Sequence, residues 1–193
     1  MFKGSAMNYA LIRKNDIANG PGVRVSLFVS GCRHHCKGCF NPETWDFSYG
    51  KPFTDETAEE ILRALRFEHI EGLSLLGGEP FEPENQEALL RLTTLVRERY
   101  PQKTIWCYSG FTFENRLLQG KVGNSEVCLS LLRNLDVLVD GTFREELKNP
   151  ALLFRGSSNQ NIIDVQKSLA AGKMILLEGK WERSMGSGDI NEF

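Results

Sequence analysis

Three cysteines, Cys32, Cys36 and Cys39, crowd into the stretch GCRHHCKGCFNPETW (31–45) with the spacing C-x3-C-x2-C. Thiols this close are ligands for a soft metal centre or partners in disulfides. An odd triplet cannot pair off as disulfides, and it is one short of a closed tetrahedral site. Structural zinc sites commonly combine two short-spaced ligand pairs. No second pair exists here, because Cys107 and Cys128 stand alone. His34 and His35 lie inside the cysteine spacing, where a bond to the same ion would strain the loop. Structural zinc and incidental thiols are therefore the weaker readings. The sharper one is a [4Fe–4S] cluster held by three thiolates. Three ligands leave one iron open to bind and activate another molecule, as catalytic metal sites do in general.

Such a loop needs a rigid support. VRVSLFVS (23–30) alternates apolar with polar or smaller residues and reads as a strand, with NGPG (19–22) as turn chemistry before it. The cysteines therefore sit on the loop leaving a strand. TDETAEEILRALRFEH, from Thr54, reads as an N-capped amphipathic helix with Ala58, Ile61, Leu62 and Leu65 on its apolar stripe. LSLL (73–76) is a short buried strand ending at Gly77-Gly78. A second helix over 83–100 turns Ala88, Leu89, Leu92, Leu95 and Val96 to the core. TIWCYS (104–109) and DVLVDG (136–141) read as strands with helical material around 125–133 between them, and KMILLEGK (173–180) reads as a last strand. Alternating strands and helices predict an α/β fold with a mainly parallel sheet. In such sheets reactive groups collect at the carboxyl ends of strands. The cysteine loop, Gly77-Gly78-Glu79, Ser109 and Asp140 all fall at such ends and are expected to line one rim. A closed eight-stranded barrel takes about 250 residues, so the expectation is an incomplete TIM-like barrel with an open side.

The 193 residues, 41% of them hydrophobic, suit a single domain, expected over 8–180. Residues 1–7 (MFKGSAM) read as a vector-derived or flexible leader with Met7 a natural initiator, and 181–193 as a flexible tail. A net charge of −2 offers no general attraction to nucleic acid or membrane. No run approaches the roughly 20 apolar residues of a membrane span, and the N-terminus lacks the apolar segment of an export signal. Five cysteines in such a chain are expected to be reduced thiols in the cytoplasm.

The triplet followed by the aromatic Phe40 resembles the signature of radical S-adenosylmethionine (SAM) enzymes. The ordered segments NGPGVRVSLFVSGC, CKGCFNPETW, GLSLLGGEP, LVDGTF and FRGSSNQ resemble, more specifically, the activating proteins of anaerobic ribonucleoside-triphosphate reductase, over about residues 8–165. The resemblance implies that Cys32, Cys36 and Cys39 ligate three irons and that SAM chelates the fourth. Reductive cleavage of SAM would then give methionine and a 5′-deoxyadenosyl radical, the cofactors supplying the chemistry and the protein the alignment. It implies that Gly77, Gly78 and Glu79 form the "GGE" segment, with Glu79 accepting from the SAM ammonium. Gly38, Cys39 and Phe40 would border the adenine, and Ser109 and Asp140 the methionyl carboxylate or ribose. The implied partner is the large subunit of the reductase, where a glycine Cα hydrogen is abstracted, with a donor such as reduced flavodoxin. In relatives a segment like NGPG sits close to the cluster, but no single role follows for Asn19 or Gly22. Arg155 has two candidate partners, SAM or the reductase. His34, His35, Cys107 and Cys128 read as bystanders. The alternatives are an activase of another glycyl-radical enzyme such as pyruvate formate-lyase, a small-molecule radical SAM enzyme, and a zinc-stabilised binding module.

Overall fold

A computed structural model describes residues 6–179. The expectations for most of the leader and for the tail 181–193 fall outside the described residues. Seven strands form one sheet in the order β3-β1-β2-β4-β5-β6-β7, and it does not close on itself. The strands are β1 (Asn8–Asp16), β2 (Val23–Val29), β3 (Lys51–Pro52), β4 (Ile70–Gly77), β5 (Thr104–Tyr108), β6 (Val137–Asp140) and β7 (Asn161–Asp164). The helices are α1 (Asp55–Leu65), α2 (Pro83–Arg99), α3 (Ser125–Arg133) and α4 (Val165–Ala171). β2, β4, β5 and β6 run parallel. β1, β3 and β7 are antiparallel to their neighbours. The connection from β1 to β2 is a tight turn, too short for the crossover a parallel pair requires, so β1 must fold back. The parallel core is therefore flanked by antiparallel edges on both sides.

One face of the sheet is covered by helices. Val25, Leu27 and Val29 of β2 meet Ile61, Leu62 and Leu65 of α1 and Leu89, Leu92 and Val96 of α2 in a single buried core. Thr54 caps α1 by accepting from the Thr57 N–H, as the sequence implied. The other face is mixed. A small cluster of Trp106, Val137, Val139 and Ile162 sits there, beside the buried polar residues Arg24, Ser26 and Ser74.

Arg24 is fully buried at 0% exposure. Its guanidinium donates to Ser74 Oγ and Leu73 O of β4, and to Thr104 Oγ1 and O of β5. Burial pushes its pKa down to about 10, so it stays charged at neutral pH. Three central strands are thus pinned by one side chain. Arg24→Met, similar in length but with no donors, is expected to destabilise the chain by roughly 2–4 kcal/mol by orphaning these acceptors. Urea unfolding checks this, and a loss below about 1 kcal/mol would show that water takes over the bonds.

Two sequence expectations change here. Residues 173–179 form no strand; they contribute a single antiparallel bridge between Ile163 and Leu176, while residue 180 lies outside the described residues. Left-handed Gly172 (φ 65°) ends α4, and the apolar run then skirts the free edge of β7 with Leu176 55% exposed. The NGPG turn precedes β2, so it lies at the opposite end of that strand from the cysteine loop. There Asn19 donates to Asp16 and its carbonyl accepts from Ser74.

Candidate functional site

Parallel β2, β4, β5 and β6 bring their carboxyl ends to one rim. The cysteine loop leaves β2 there and is seated by backbone bonds. Gly31 N–H donates to Thr44 O at 2.8 Å, Cys32 N–H to Trp45 O at 3.2 Å, and Glu79 N–H to Gly31 O at 2.8 Å. Thr44 and Trp45 belong to a short 3-10 turn, Pro42–Trp45. Gly77 and Gly78 are required by this close approach. A Cβ on Gly77 would lie 2.7 Å from Val29 O, and one on Gly78 2.6 Å from Gly31 O.

All five cysteines are free thiols, and Cys107 and Cys128 are buried away from the loop. Cys32 is 8% exposed, while Cys36 and Cys39 are half-buried. Burial pushes the Cys32 thiol up to about 12, against backbone N–H donation from His34 and His35 that favours its thiolate. Burial likewise raises Cys36, opposed by the Phe143 N–H. Cys39 Sγ accepts from the Asn41 N–H at 3.4 Å. Each of the three sulfurs thus receives at least one amide donor from the loop or its neighbour. Among the described residues no three His, Cys, Asp or Glu side chains converge as a ligand set for one metal ion. Three thiols, each supported by N–H donors that tune a sulfur-ligated cluster, fit a polynuclear iron–sulfur group.

The burial of Cys32 and Cys36 gives a direct expectation. If the loop takes up iron, it does so through thiolates, and loading would release protons. Because Cys32 and Cys36 titrate above their ordinary value, iron loading should become more complete as pH rises from about 7 to 8.5. Iron bound at fixed, limiting iron across that range checks it; a flat profile would mean that Cys32 and Cys36 are already ionised.

Glu79 is the centre of the rim. It is 1% exposed. Oε1 accepts from the Phe81 N–H at 2.8 Å and the Ser109 hydroxyl at 2.9 Å. Oε2 accepts from the Gly110 N–H at 2.7 Å and lies 3.0 Å from His34 Nε2. Burial disfavours the charged imidazole, but the hydrogen bond and charge of Glu79 outweigh it and hold His34 above its ordinary pKa. Glu79, Ser109 and the cysteine loop are therefore brought together directly. Asp140 is not part of that contact. It is 3% exposed, and it accepts from the Phe113 N–H at 2.8 Å and from Asn161 at 2.9 Å. Gly38 adopts φ +71°, with the Glu145 side chain against it. Phe40 is 62% exposed, its ring 5.1 Å from Phe143 with Lys148 Nζ 5.4 Å from its centroid. Arg155 donates to Gln160 O at 2.8 Å.

His34 is no bystander here, and the sequence reading also passed over Arg33 and Glu82. Arg33 N–H donates to Glu82 Oε1 at 2.8 Å, and its guanidinium reaches Glu82 and Glu84. The signal was present as three basic residues in RHH and three acids in GGEPFEPE. About fifty residues separate the partners, so nothing in the sequence paired them.

An open α/β sheet presents three amide-supported thiols at its carboxyl rim, donors suited to an iron–sulfur protein, and the family described as "4Fe-4S single cluster domain" matches residues 18–163. A relative from Vibrio cholerae serotype O1 is 43% identical over 158 residues, 81% of this chain and 97% of its own. One from Enterobacteria phage T4 is 40% identical over 156 residues, covering 81% and 93%. One from Escherichia coli K12 is 40% identical over 156 residues, covering 80% and 96%. All three are anaerobic ribonucleoside-triphosphate reductase-activating proteins. The chain belongs to that family.

Proposed function

We propose that this protein is a radical SAM activase that generates a glycyl radical on the large subunit of anaerobic ribonucleoside-triphosphate reductase. The observation that supports it is the three-thiol loop seated at the carboxyl rim of the parallel strands, in a chain about 40% identical to named activators over most of its length. Cys32, Cys36 and Cys39 would hold a [4Fe–4S] cluster and leave one iron for SAM. When bound, the cluster supplies the electron that breaks a carbon–sulfur bond of SAM to give methionine and a 5′-deoxyadenosyl radical.

The chain's own residues hold and shape the site. Amide donors stabilise the thiolates. Gly38 and the half-open ring of Phe40 border the cysteines on the outer side, where a flat base could lie. Ser109 and Asp140 close the β5 and β6 ends of the rim and fix the backbone that would face the methionyl group. Glu79, with Gly77 and Gly78, shapes the β4 end. The unclosed sheet, read as a partial TIM-like barrel, leaves a side through which a glycine-bearing segment of the reductase can approach. Glycine suits that role because its Cα is unshielded. Among the described residues no helix is long and apolar enough to cross a membrane. The proposed setting is the anaerobic cytoplasm, with a donor such as reduced flavodoxin.

The test is anaerobic reconstitution followed by iron and sulfide quantification and electron paramagnetic resonance with the reductase subunit and SAM. About four irons and four sulfides per chain, and a SAM-dependent glycyl radical on the partner, are expected. A 5′-deoxyadenosine product without a partner radical would reassign the substrate. A single colourless divalent ion would remove the reading altogether.

A further inference from the structure

Between Cys32 and Cys36 lie Arg33, His34 and His35, and each is held in place by its own set of contacts. Arg33 is gripped by Glu82, itself 3% exposed, and by Glu84 at the start of α2, while its guanidinium lies 4.3 Å from the Phe47 ring centroid. His34 reaches Glu79. Its ring stands edge-on to Phe111 at 4.5 Å and is so close to Gly110 that a Cβ there would lie 2.5 Å from the imidazole. His35, in the left-handed region at φ 48°, packs on Trp45 at 4.6 Å. A loop meant only to present thiols needs none of this.

The carboxylates that receive the spacer come from one turn, GGEPFEPE between β4 and α2. Glu79 is the more demanding of the two buried ones. Both of its oxygens accept two bonds each, and the donors come from the turn itself, from the end of β5 and from the cysteine loop. A buried carboxylate is stabilised only when its lone pairs are filled. With four donors already present, a SAM ammonium would have to displace one of them. The same atoms therefore serve better as a joint than as a ligand contact.

We propose that His34 is a positioning residue: through Glu79 it couples the Cys32–Cys36 spacer to the β5 rim at Ser109 and Gly110, and so sets where the thiols stand relative to the space that SAM would fill. This rests on the reading of the three cysteines as cluster ligands. Residues that orient ligands in this way typically change affinity by about 10–100-fold when lost.

The experiment compares the full chain with His34→Ala, His34→Gln and His34→Asn, reconstituted anaerobically. Glutamine can place an N–H near the position of Nε2, whereas asparagine is too short to reach Glu79. Iron content, the g values of the reduced cluster with and without SAM, and SAM affinity are read. The alanine and asparagine variants are expected to keep their iron but shift the g values and bind SAM about tenfold more weakly, while glutamine stays within about threefold of the parent. Parental g values and SAM affinity in the alanine variant would overturn the proposal. So would iron lost in step with stability while the loaded fraction keeps parental g values, or identical behaviour of glutamine and asparagine. Should alanine not fold, the glutamine and asparagine pair decides. Amide hydrogen exchange over residues 32–39 of the metal-free chain gives an answer even if the parent binds no cluster. Exchange about tenfold faster in the alanine than in the glutamine variant supports the joint, and equal rates in all chains refute it.

Discussion

Cys36→Ala is expected to abolish iron loading and partner activation while leaving the fold in place. With three cysteines in the loop and no substitute thiol nearby, removing one leaves two, and metal-binding free energy falls away with each lost thiolate. Cys107 and Cys128 cannot stand in, since both are buried within the helix-covered core. Cys36 itself is half-buried on a loop outside that core, so little apolar burial is lost. Bound iron should drop from about four to below one per chain, with far-ultraviolet circular dichroism unchanged and the thermal midpoint of the metal-free protein within about 3 °C of the parent. A variant that still loads four irons would remove Cys36 from the ligand set. A variant that unfolds outright would make the loop a structural metal knot rather than a catalytic one.

The second large effect is expected at Gly78, which makes no contact through a side chain. A methyl placed there would sit 2.6 Å from Gly31 O, 2.9 Å from Thr44 O and 3.1 Å from Gly31 C. All three are backbone atoms, so no side-chain rotation relieves the overlap. The same Gly31 carbonyl accepts the Glu79 N–H, and the Gly31 N–H donates to Thr44. Gly78→Ala therefore forces β4 away from the base of the cysteine loop. Overpacking of this kind costs roughly 1–3 kcal/mol, equivalent to a fall in thermal midpoint of roughly 3–10 °C for a chain of this size. Iron loading at limiting iron should fall with it, because the loop that carries the thiols is the part displaced. Gly172→Ala is the control. That glycine is left-handed, but an added Cβ meets nothing within 4 Å, so the variant should lose some stability and no iron. Equal loading by the two variants would show that contact at Gly78 does not seat the loop.

Much of the architecture was readable because its signals are local. The apolar stripes of 55–65 and 83–99 report burial on one face, as those helices exhibit; the alternation in 23–30 marked a strand, though the strand is buried on both faces, with Arg24, Ser26 and Phe28 covered as well as Val25, Leu27 and Val29. β1 carried no such signal. It lies next to an edge, with Leu11 43% exposed, so its composition was not forced to be apolar. β7 spans four residues, too few for a period to declare itself. The run at 173–179 erred the other way: apolar composition suggested a strand, but only a short stretch of sheet edge was free to receive it.

The chemistry of the site was likewise legible as far as it depends on residue type. Three thiols in C-x3-C-x2-C made a soft metal centre the reading to test, because spacing along a loop limits which ligand sets can form. The partners of Glu79, Arg33 and His34 were decided only by the tertiary structure. Hydrogen bonds between residues about fifty positions apart form when parallel strands bring their carboxyl ends to one rim, and sequence order carries no measure of that distance. The candidate ligands are thus named by residue type in the chain, whereas their placement belongs to the folded sheet.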